Sequence, residues 1–351
     1  MKENIILFAF VAIPILSGLL LFLFHRRRRS LRKNAHSVWR MVFGNALLTL
    51  GLCSFALLCG EVYFRFIYDT TESFGLTRVT TEWLKRNYKY NTAGVRDSLE
   101  RYVAQCTPGM RRFTFIGDSF TAGHGVKNVE SRFTNIIRKK KPAWEVHVFS
   151  SNGWDTGDEL TCLRNLIQRN NYELDIVILI YNLNDIADIV PEWQDNLKRI
   201  YGGAEPGFIV KYSYLFNTLY YWRKAARDPD VSKYYQFVQR AYLGPLWEEQ
   251  KKRLINIRDT VEMKKGRLLV VTFPFIHLMG GIYPYASIHE KLDGLWAELR
   301  VSHLDLFGAF EKYRASDLVV NRRDAHPNER AHEIAANAIL GFIEKCMNEI
   351  P

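Results

Sequence analysis

The sequence predicts an α/β protein: a three-layer sandwich around a mostly parallel, flavodoxin-like sheet, preceded by a two-helix transmembrane hairpin. Three observations predict this class. Short, continuously apolar runs recur along residues 111–351, as is typical of strands that are buried on both faces of a parallel sheet. Helical stretches separate these runs, which favours an alternating strand and helix order. Two long uncharged runs occupy the first sixty residues.

Residues 1–68 are predicted to form the membrane hairpin, with spans at 5–24 and 41–60. Each span is long enough to cross the bilayer core of about 30 Å. The alternative for the first span, a cleaved signal peptide, is disfavoured because its basic residues follow the apolar run instead of preceding it. The loop at 25–40 holds seven basic residues, so the positive-inside rule predicts that it is cytoplasmic. We therefore expect a two-span anchor in a bacterial inner membrane, with the remaining chain in the periplasm or an equivalent extracytoplasmic space.

The net charge of +11 and the pI of about 9.3 raise the question of nucleic-acid binding. Residues 1–60 contain eight basic residues and one acidic residue, so this segment carries +7 of the total. Only +4 remains for the other 291 residues. The charge therefore indicates membrane topology with anionic lipid nearby, and we expect no nucleic-acid partner.

The remaining chain divides into an ordered lead-in at 69–110 and an α/β domain at 111–351. Strands are predicted at 113–116, 145–150, 175–181 and 267–275, and helices at 131–141, 157–170 and 329–348. A helical insertion at about 189–265 is rich in Tyr, Trp and Phe, whose rings either pack a core or contact sugars or the membrane. Cys106, Cys162 and Cys346 would face an oxidising space, where they could form at most one internal disulfide.

Two motifs follow the first two predicted strands, at the sheet edge where ligands of α/β proteins collect. Ser119 lies in Gly117-Asp118-Ser119, at the base of the next helix, where it is either a nucleophile or an N-cap. Gly153 follows the second strand. This glycine either directs its backbone N–H towards a bound carbonyl oxygen or only makes a turn.

Two further motifs complete the set. Asn184 follows the third strand, and its side-chain amide suits either an oxyanion donor or an Asx turn. His326 precedes the last helix, with Asp324 two residues before it. A histidine is the usual general base near neutral pH, and a nearby carboxylate sets its tautomer. The alternative is a capped loop with an exposed imidazole.

Together these residues provide what acyl transfer through a covalent serine ester requires. In residue type and chain order they resemble the SGNH (GDSL-type) hydrolases, over residues 111–346. The resemblance implies that Ser119 is the nucleophile and His326 the base, and that Asp324 orients it. It also implies an oxyanion hole made by the N–H groups of Ser119 and Gly153 and the side chain of Asn184.

The sequence departs from the family pattern at two points. Asn182 stands where the third block usually has glycine, and Asp324 and His326 are two residues apart where the family usually has three.

The two-span anchor and the lead-in residues Asn91, Arg96 and Asp97 are similar to a subset of this family. Members of that subset are associated with acylation of cell-envelope glycans, some together with a membrane-bound O-acyltransferase. The resemblance therefore implies a membrane-anchored serine esterase or O-acyltransferase acting on O-acyl groups, O-acetyl first among them, of an envelope polysaccharide. We expect this chemistry to need no cofactor and no metal. The alternative function is a catalytically idle accessory that binds glycan or scaffolds a membrane O-acyltransferase.

Overall fold

The computed structural model describes residues 2–30, 38–169, 171–202 and 206–348. Part of the predicted basic loop, residues 31–37, lies outside this range. The chain forms two compact units. The first contains Met1–Thr70, Leu76–Trp83 and Gly203–Arg227, and the second contains Thr71–Gly75, Leu84–Gly202 and Asp228–Pro351.

The strands and α-helices have the following bounds. The strands are β1 Arg111–Gly117, β2 Trp144–Ser150, β3 Ile176–Asn182, β4 Arg267–Phe273, β5 Ser302–Asp305, β6 Val319–Asn321 and β7 Asp324–Pro327. The helices are α1 Lys2–Ser30, α2 Val38–Val62, α3 Arg78–Asn87, α4 Ser119–Ala122, α5 Phe133–Lys140, α6 Thr156–Arg169, α7 Pro191–Tyr201, α8 Phe208–Tyr212, α9 Tyr214–Arg227, α10 Pro229–Leu243, α11 Leu246–Met263, α12 Ala286–Glu298, α13 Phe307–Phe310, α14 Ala315–Leu318 and α15 Glu329–Asn348.

In the first unit, α1 and α2 pack against each other as a hairpin. The helices approach closely at Gly44, where a Cβ would lie only 3.1 Å from the ring of Phe24. By length and composition, Asn4–Arg27 and Met41–Ile67 could each cross a membrane, with mean hydropathies of 2.8 and 2.0. The second apolar segment is longer than predicted, because a π-helical turn at Tyr63–Ile67 continues α2.

Part of the aromatic insertion belongs to this first unit. The buried carboxylate of Glu61, near the end of α2, accepts hydrogen bonds from Ser213 Oγ and from the backbone N–H groups of Tyr214 and Leu215, the first residues of α9. A carboxylate suits this position because the first N–H groups of a helix have no partner within the helix. Trp222 of α9 makes an edge contact with Phe64, with 5.5 Å between the ring centroids.

In the second unit, the described residues form a five-stranded sheet with the order β2-β1-β3-β4-β5, and every pair of neighbours is parallel. The prediction of an α/β fold is therefore confirmed. The four predicted strands match β1 to β4 with small changes at their ends. Strand β5 was not predicted, because its sequence Ser-His-Leu-Asp is polar. The strand lies at the sheet edge, where it is only half-buried.

Two apolar layers cover the sheet, one on each face. In β3 the side chains alternate: Val177 and Leu179 pack on one face, while Ile176 and Ile178 pack on the other. The first face is covered by α6, α11 and α12, together with aromatic residues of the insertion, and the second is covered by α5 and α15. This three-layer packing explains why the strands read as continuous apolar runs.

The segment before α15 contains a short antiparallel pair, β6 and β7. His326 lies in β7 and is not exposed, so the alternative of a capped loop with an exposed imidazole is wrong. Pro327 ends this strand, and α15 begins at Glu329 as predicted.

Candidate active site

The strand ends of the second unit bring the predicted residues to one cleft. Ser119 begins α4 directly after β1, Gly153 follows β2, and Asn184 follows β3. These three residues and His326 line the same cavity of about 810 Å³, at the carboxyl edge of the sheet.

Ser119, His326 and Asp324 form a continuous hydrogen-bonded chain. Ser119 Oγ lies 2.8 Å from His326 Nε2, and His326 Nδ1 lies 2.6 Å from Asp324 Oδ1. Because the buried carboxylate accepts the Nδ1 proton, Nε2 of the neutral ring is left to accept the serine proton. This is the arrangement in which a histidine activates a serine hydroxyl.

The two-residue spacing of Asp324 and His326 is explained by β7. Alternate residues of a strand project from the same face, so both side chains reach the same side of the hairpin. The backbone N–H of His326 also donates to Asp324 Oδ1, at 3.1 Å. This departure from the usual spacing is therefore compatible with a close acid–base pair.

The charges of this pair favour a neutral histidine beside a carboxylate. Burial opposes ionisation of Asp324, but the neighbouring His326 and His124 hold its pKa well below the usual range. Burial lowers the pKa of His326 and outweighs the attraction of Asp324. A general base must be unprotonated, so this environment keeps His326 ready to accept a proton at neutral pH.

The turn that presents Ser119 depends on a glycine. A Cβ at Gly117 would lie 2.3 Å from Thr121 Oγ1 and 2.9 Å from the carbonyl oxygen of Ile180. Asp118 caps α4 by accepting a hydrogen bond from the N–H of Phe120, at 2.9 Å. The turn is therefore packed too closely for a side chain at position 117, two residues before the serine.

The two other predicted oxyanion donors lie in different surroundings. Gly153 has a φ of +80°, a conformation that favours glycine, and the space where a Cβ would be is open. Asn184 is half-buried in a 3₁₀ turn after β3. Asn182, which stands where the family has glycine, is fully buried with a φ of −102°, so this backbone position does not require glycine.

The structure adds two contacts to Asp324 that sequence reasoning missed. Thr71 Oγ1 donates to Asp324 Oδ2, and His124 Nε2 lies 3.4 Å from the same oxygen. Thr71 precedes Asp324 by more than 250 residues, and no spacing signals this contact. His124 follows Ser119 by five residues, and a titratable side chain so near the nucleophile was a signal that could have been used.

The ligand atoms of His124, Asp324 and His326 lie within 4.8 Å of one another, so among the described residues this group could hold a metal ion. Both ring nitrogens of His326 already contact Asp324 and Ser119. A metal bound through His326 would therefore break the hydrogen-bonded chain.

The cleft has aromatic walls and a basic rim. The insertion contributes Trp193, Tyr234 and Tyr235, and further lining residues include Trp154, Phe275, Arg322 and Arg323. The cleft also contains Asp155 and Asp188, both of which pair with Arg253. Within the insertion, Tyr242 and Trp247 are therefore buried in the core, whereas Trp193, Tyr234 and Tyr235 line the cleft.

Carboxyl groups are buried near the turn that carries Ser119. Asp118, Glu159 and Asp185 are almost completely buried. Burial raises the pKa of Asp118 to about 7 and raises the pKa values of Glu159 and Asp185 well above their usual range. Asp185 Oδ2 accepts the backbone N–H of Asn182 at 2.8 Å, which fixes the end of β3.

Comparisons with known proteins give structural neighbours only. No family model matches the sequence, and no curated protein matches it. The chain is similar to the solved structure of a lipolytic G-D-S-L family member from Veillonella parvula, with 16% identity and a TM-score of 0.41 over 66% of this chain and 97% of that one. It is also similar to an α/β hydrolase enzyme from the metagenome of Lake Arreo, Spain, with 15% identity and a TM-score of 0.41 over 66% and 94%. An acetyl xylan esterase is similar at 14% identity, with a TM-score of 0.40 over 66% and 98%.

Proposed function

We propose that the protein is a serine esterase or O-acyltransferase that works through an acyl-serine intermediate. The observation that carries this proposal is the chain from Ser119 Oγ through His326 to the buried Asp324, with distances of 2.8 and 2.6 Å. The chain opens onto a cleft that also contains Gly153 and Asn184.

In the first step, His326 Nε2 takes the proton of Ser119 while Oγ bonds to the ester carbonyl carbon. The carbonyl electron pair moves onto oxygen, and we assign stabilisation of this oxyanion to the N–H groups of Ser119 and Gly153 and to the amide of Asn184. The ester C–O bond then breaks, and the leaving alkoxide takes the proton from His326. Asp324 stays ionised and stabilises the imidazolium in between.

In the second step, an acceptor hydroxyl attacks the acyl-serine. His326 takes the proton of this acceptor and returns it to Ser119 as the acyl bond to Oγ breaks. Water as acceptor makes the protein a hydrolase, and a sugar hydroxyl makes it a transferase. Exclusion of water from the acyl-enzyme decides between them.

The proposed substrate is the O-acyl group, O-acetyl in the first instance, of a cell-envelope polysaccharide. Partly exposed aromatic rings that line the cleft, among them Trp154 and Tyr235, suit contact with sugar faces. The apolar helices and the basic residues after the first of them support an inner-membrane anchor with the catalytic unit in the periplasm. A membrane-bound O-acyltransferase is the partner that we propose for the transfer reaction.

The test uses the purified full chain in detergent. We expect it to release p-nitrophenol from p-nitrophenyl acetate and to react with a fluorophosphonate at one serine. Ser119→Ala should abolish both, whereas the matched control Ser316→Ala, which removes an exposed serine from the cleft, should retain both. An inactive wild-type chain that does not react with the probe would contradict the proposal.

The accessory function is tested in cells. Ser119→Ala should fail to restore envelope acylation in a strain that lacks the protein. Full restoration by this variant would leave only the binding or scaffolding function.

A further inference from the structure

His124 is a second imidazole beside Asp324, and the proposed reaction does not use it. Its side chain is buried, and its ring centroid lies 4.3 Å from that of His326. Its Nε2 lies 3.4 Å from Asp324 Oδ2, whereas His326 Nδ1 contacts the other carboxylate oxygen, Oδ1.

The neighbouring asparagine determines which nitrogen of His124 carries the proton. Asn152 Nδ2 lies 3.1 Å from His124 Nδ1. An amide nitrogen only donates, so Nδ1 accepts and the proton of the neutral ring is on Nε2. The protonated nitrogen is therefore the one that lies 3.4 Å from Asp324 Oδ2.

We propose, building on the function proposed above, that His124 is a positioning residue that holds Asp324 and links it to the loop carrying Gly153. The link runs from Asn152, which immediately precedes Gly153, through His124 to Asp324. The pair of Asp324 and His326 and the loop that carries Gly153, a proposed oxyanion donor, thus belong to one polar network.

Residues of the lead-in at 69–110 contact this network and stabilise it. The proposed reaction does not itself assign a role to this segment. Tyr88 OH donates to Asn152 Oδ1 at 3.1 Å. The guanidinium of the buried Arg96 stacks on the Tyr88 ring, with 4.3 Å to its centroid. The same guanidinium donates to the carbonyl oxygens of Gly123 and Val126, at 2.6 Å each, on both sides of His124. These contacts fix the backbone that carries His124.

Loss of the His124 N–H should change the pKa of the proposed base, His326, as well as the position of its side chain. The titratable groups that interact with His326 are Asp324, His124 and, on α15, the buried His332. Without the N–H of His124, the carboxylate is less well satisfied and attracts the imidazolium of His326 more strongly. The pKa of His326 should therefore rise, and the acidic limb of kcat/KM should move to higher pH.

Two substitutions separate positioning from packing. At position 124, the side chain of Asn ends near the place of the histidine Nδ1 and cannot reach Asp324. The longer side chain of Gln places an amide N–H near the place of the histidine Nε2. We expect His124→Asn to lower kcat by about 10-fold to 100-fold, as is typical when a remote change misplaces a catalytic group. Its acidic limb should move to higher pH, and His124→Gln should recover most of both effects.

The control is His147→Asn, which removes a buried histidine whose Nδ1 contacts Tyr172 OH at 2.7 Å, outside this network. It should lower thermal stability without moving the pH profile. A folded His124→Asn chain with the wild-type kcat and pH limb would overturn the proposal. Wild-type inactivity would instead contradict the proposed function itself.

Asn152→Ala gives a second test, which can be used even if His124→Asn does not fold. Asn152 is exposed, so we expect its replacement to leave folding intact. It should lower kcat and shift the limb in the same direction. Combined with His124→Gln, its effect should be smaller than in the wild-type background, because both residues act through one network. Wild-type kinetics in Asn152→Ala would overturn the link to the Gly153 loop.

Discussion

Asp324 is the residue on which the polar contacts of the cleft converge. Its oxygens receive the ring and backbone N–H groups of His326 and the hydroxyl of Thr71, and His124 lies beside them. An ionised carboxylate is costly to bury unless such donors surround it. The contacts therefore explain how a fully buried acid stays charged.

Asp324→Asn should leave the cleft shape intact but remove the acceptor that sets the His326 tautomer. We expect kcat to fall by about 10³-fold to 10⁴-fold, with a much smaller change in KM. Steady-state hydrolysis of p-nitrophenyl acetate measures this, with thermal unfolding as the check on folding. A loss of less than 10-fold would contradict the assigned role of Asp324.

The pH dependence of kcat/KM should report His326. Its pKa is lowered by burial, so the neutral base persists as the pH falls through 6.5 and is lost only below that value. We therefore expect an acidic limb below pH 6.5 in the free enzyme. A limb above pH 7 would mean that another group, or a protonated His326, controls the reaction.

At the scale of elements, short pieces of regular structure decide which side chains meet. The hairpin of β6 and β7 places Asp324 and His326 on one face, and the turn into α4 presents Ser119 beside them. The same turn contains the buried carboxyl group of Asp118. The carboxyl groups of Glu159 in α6 and of Asp185 after β3 are also buried. These elements meet through carboxyl groups that burial keeps protonated more readily than in water.

Glu159→Gln should increase stability, and the increase should grow with pH. The folded-state pKa of Glu159 is raised above its unfolded value. Its contribution is therefore most favourable below about pH 4.5 and is lost as the pH rises through the folded-state pKa. The amide keeps the shape without the ionisation. Thermal unfolding from pH 5 to pH 8 should show a widening gain for the variant, and a gain that shrinks with pH would contradict this account.

At the scale of the whole molecule, the proposed anchor and the basic residues that follow its first span make different predictions for membrane attachment. A hairpin held by its apolar spans should keep the full chain in the membrane fraction after high salt and alkaline carbonate, and only detergent should release it. A variant with Arg26–Arg29 replaced by Gln should behave in the same way. Release of either chain by salt would indicate electrostatic adsorption instead.

The sequence by itself determined the strand and helix order and the residues at the strand ends. Continuous apolar runs and strand-end motifs are local signals, so β1 to β4, α15 and the positions of Ser119, Gly153 and Asn184 could be predicted. The polar edge strand β5 could not, because a half-buried strand lacks that apolar signal.

Only the tertiary structure decided how these residues meet. The hydrogen bond between Ser119 and His326 spans 207 positions, and the one between Thr71 and Asp324 spans 253. The second imidazole at His124 and the lead-in behind it likewise depend on chain crossings that no local pattern specifies. Periodicity determines which face of an element is buried, but contacts between distant segments follow from packing of the whole core.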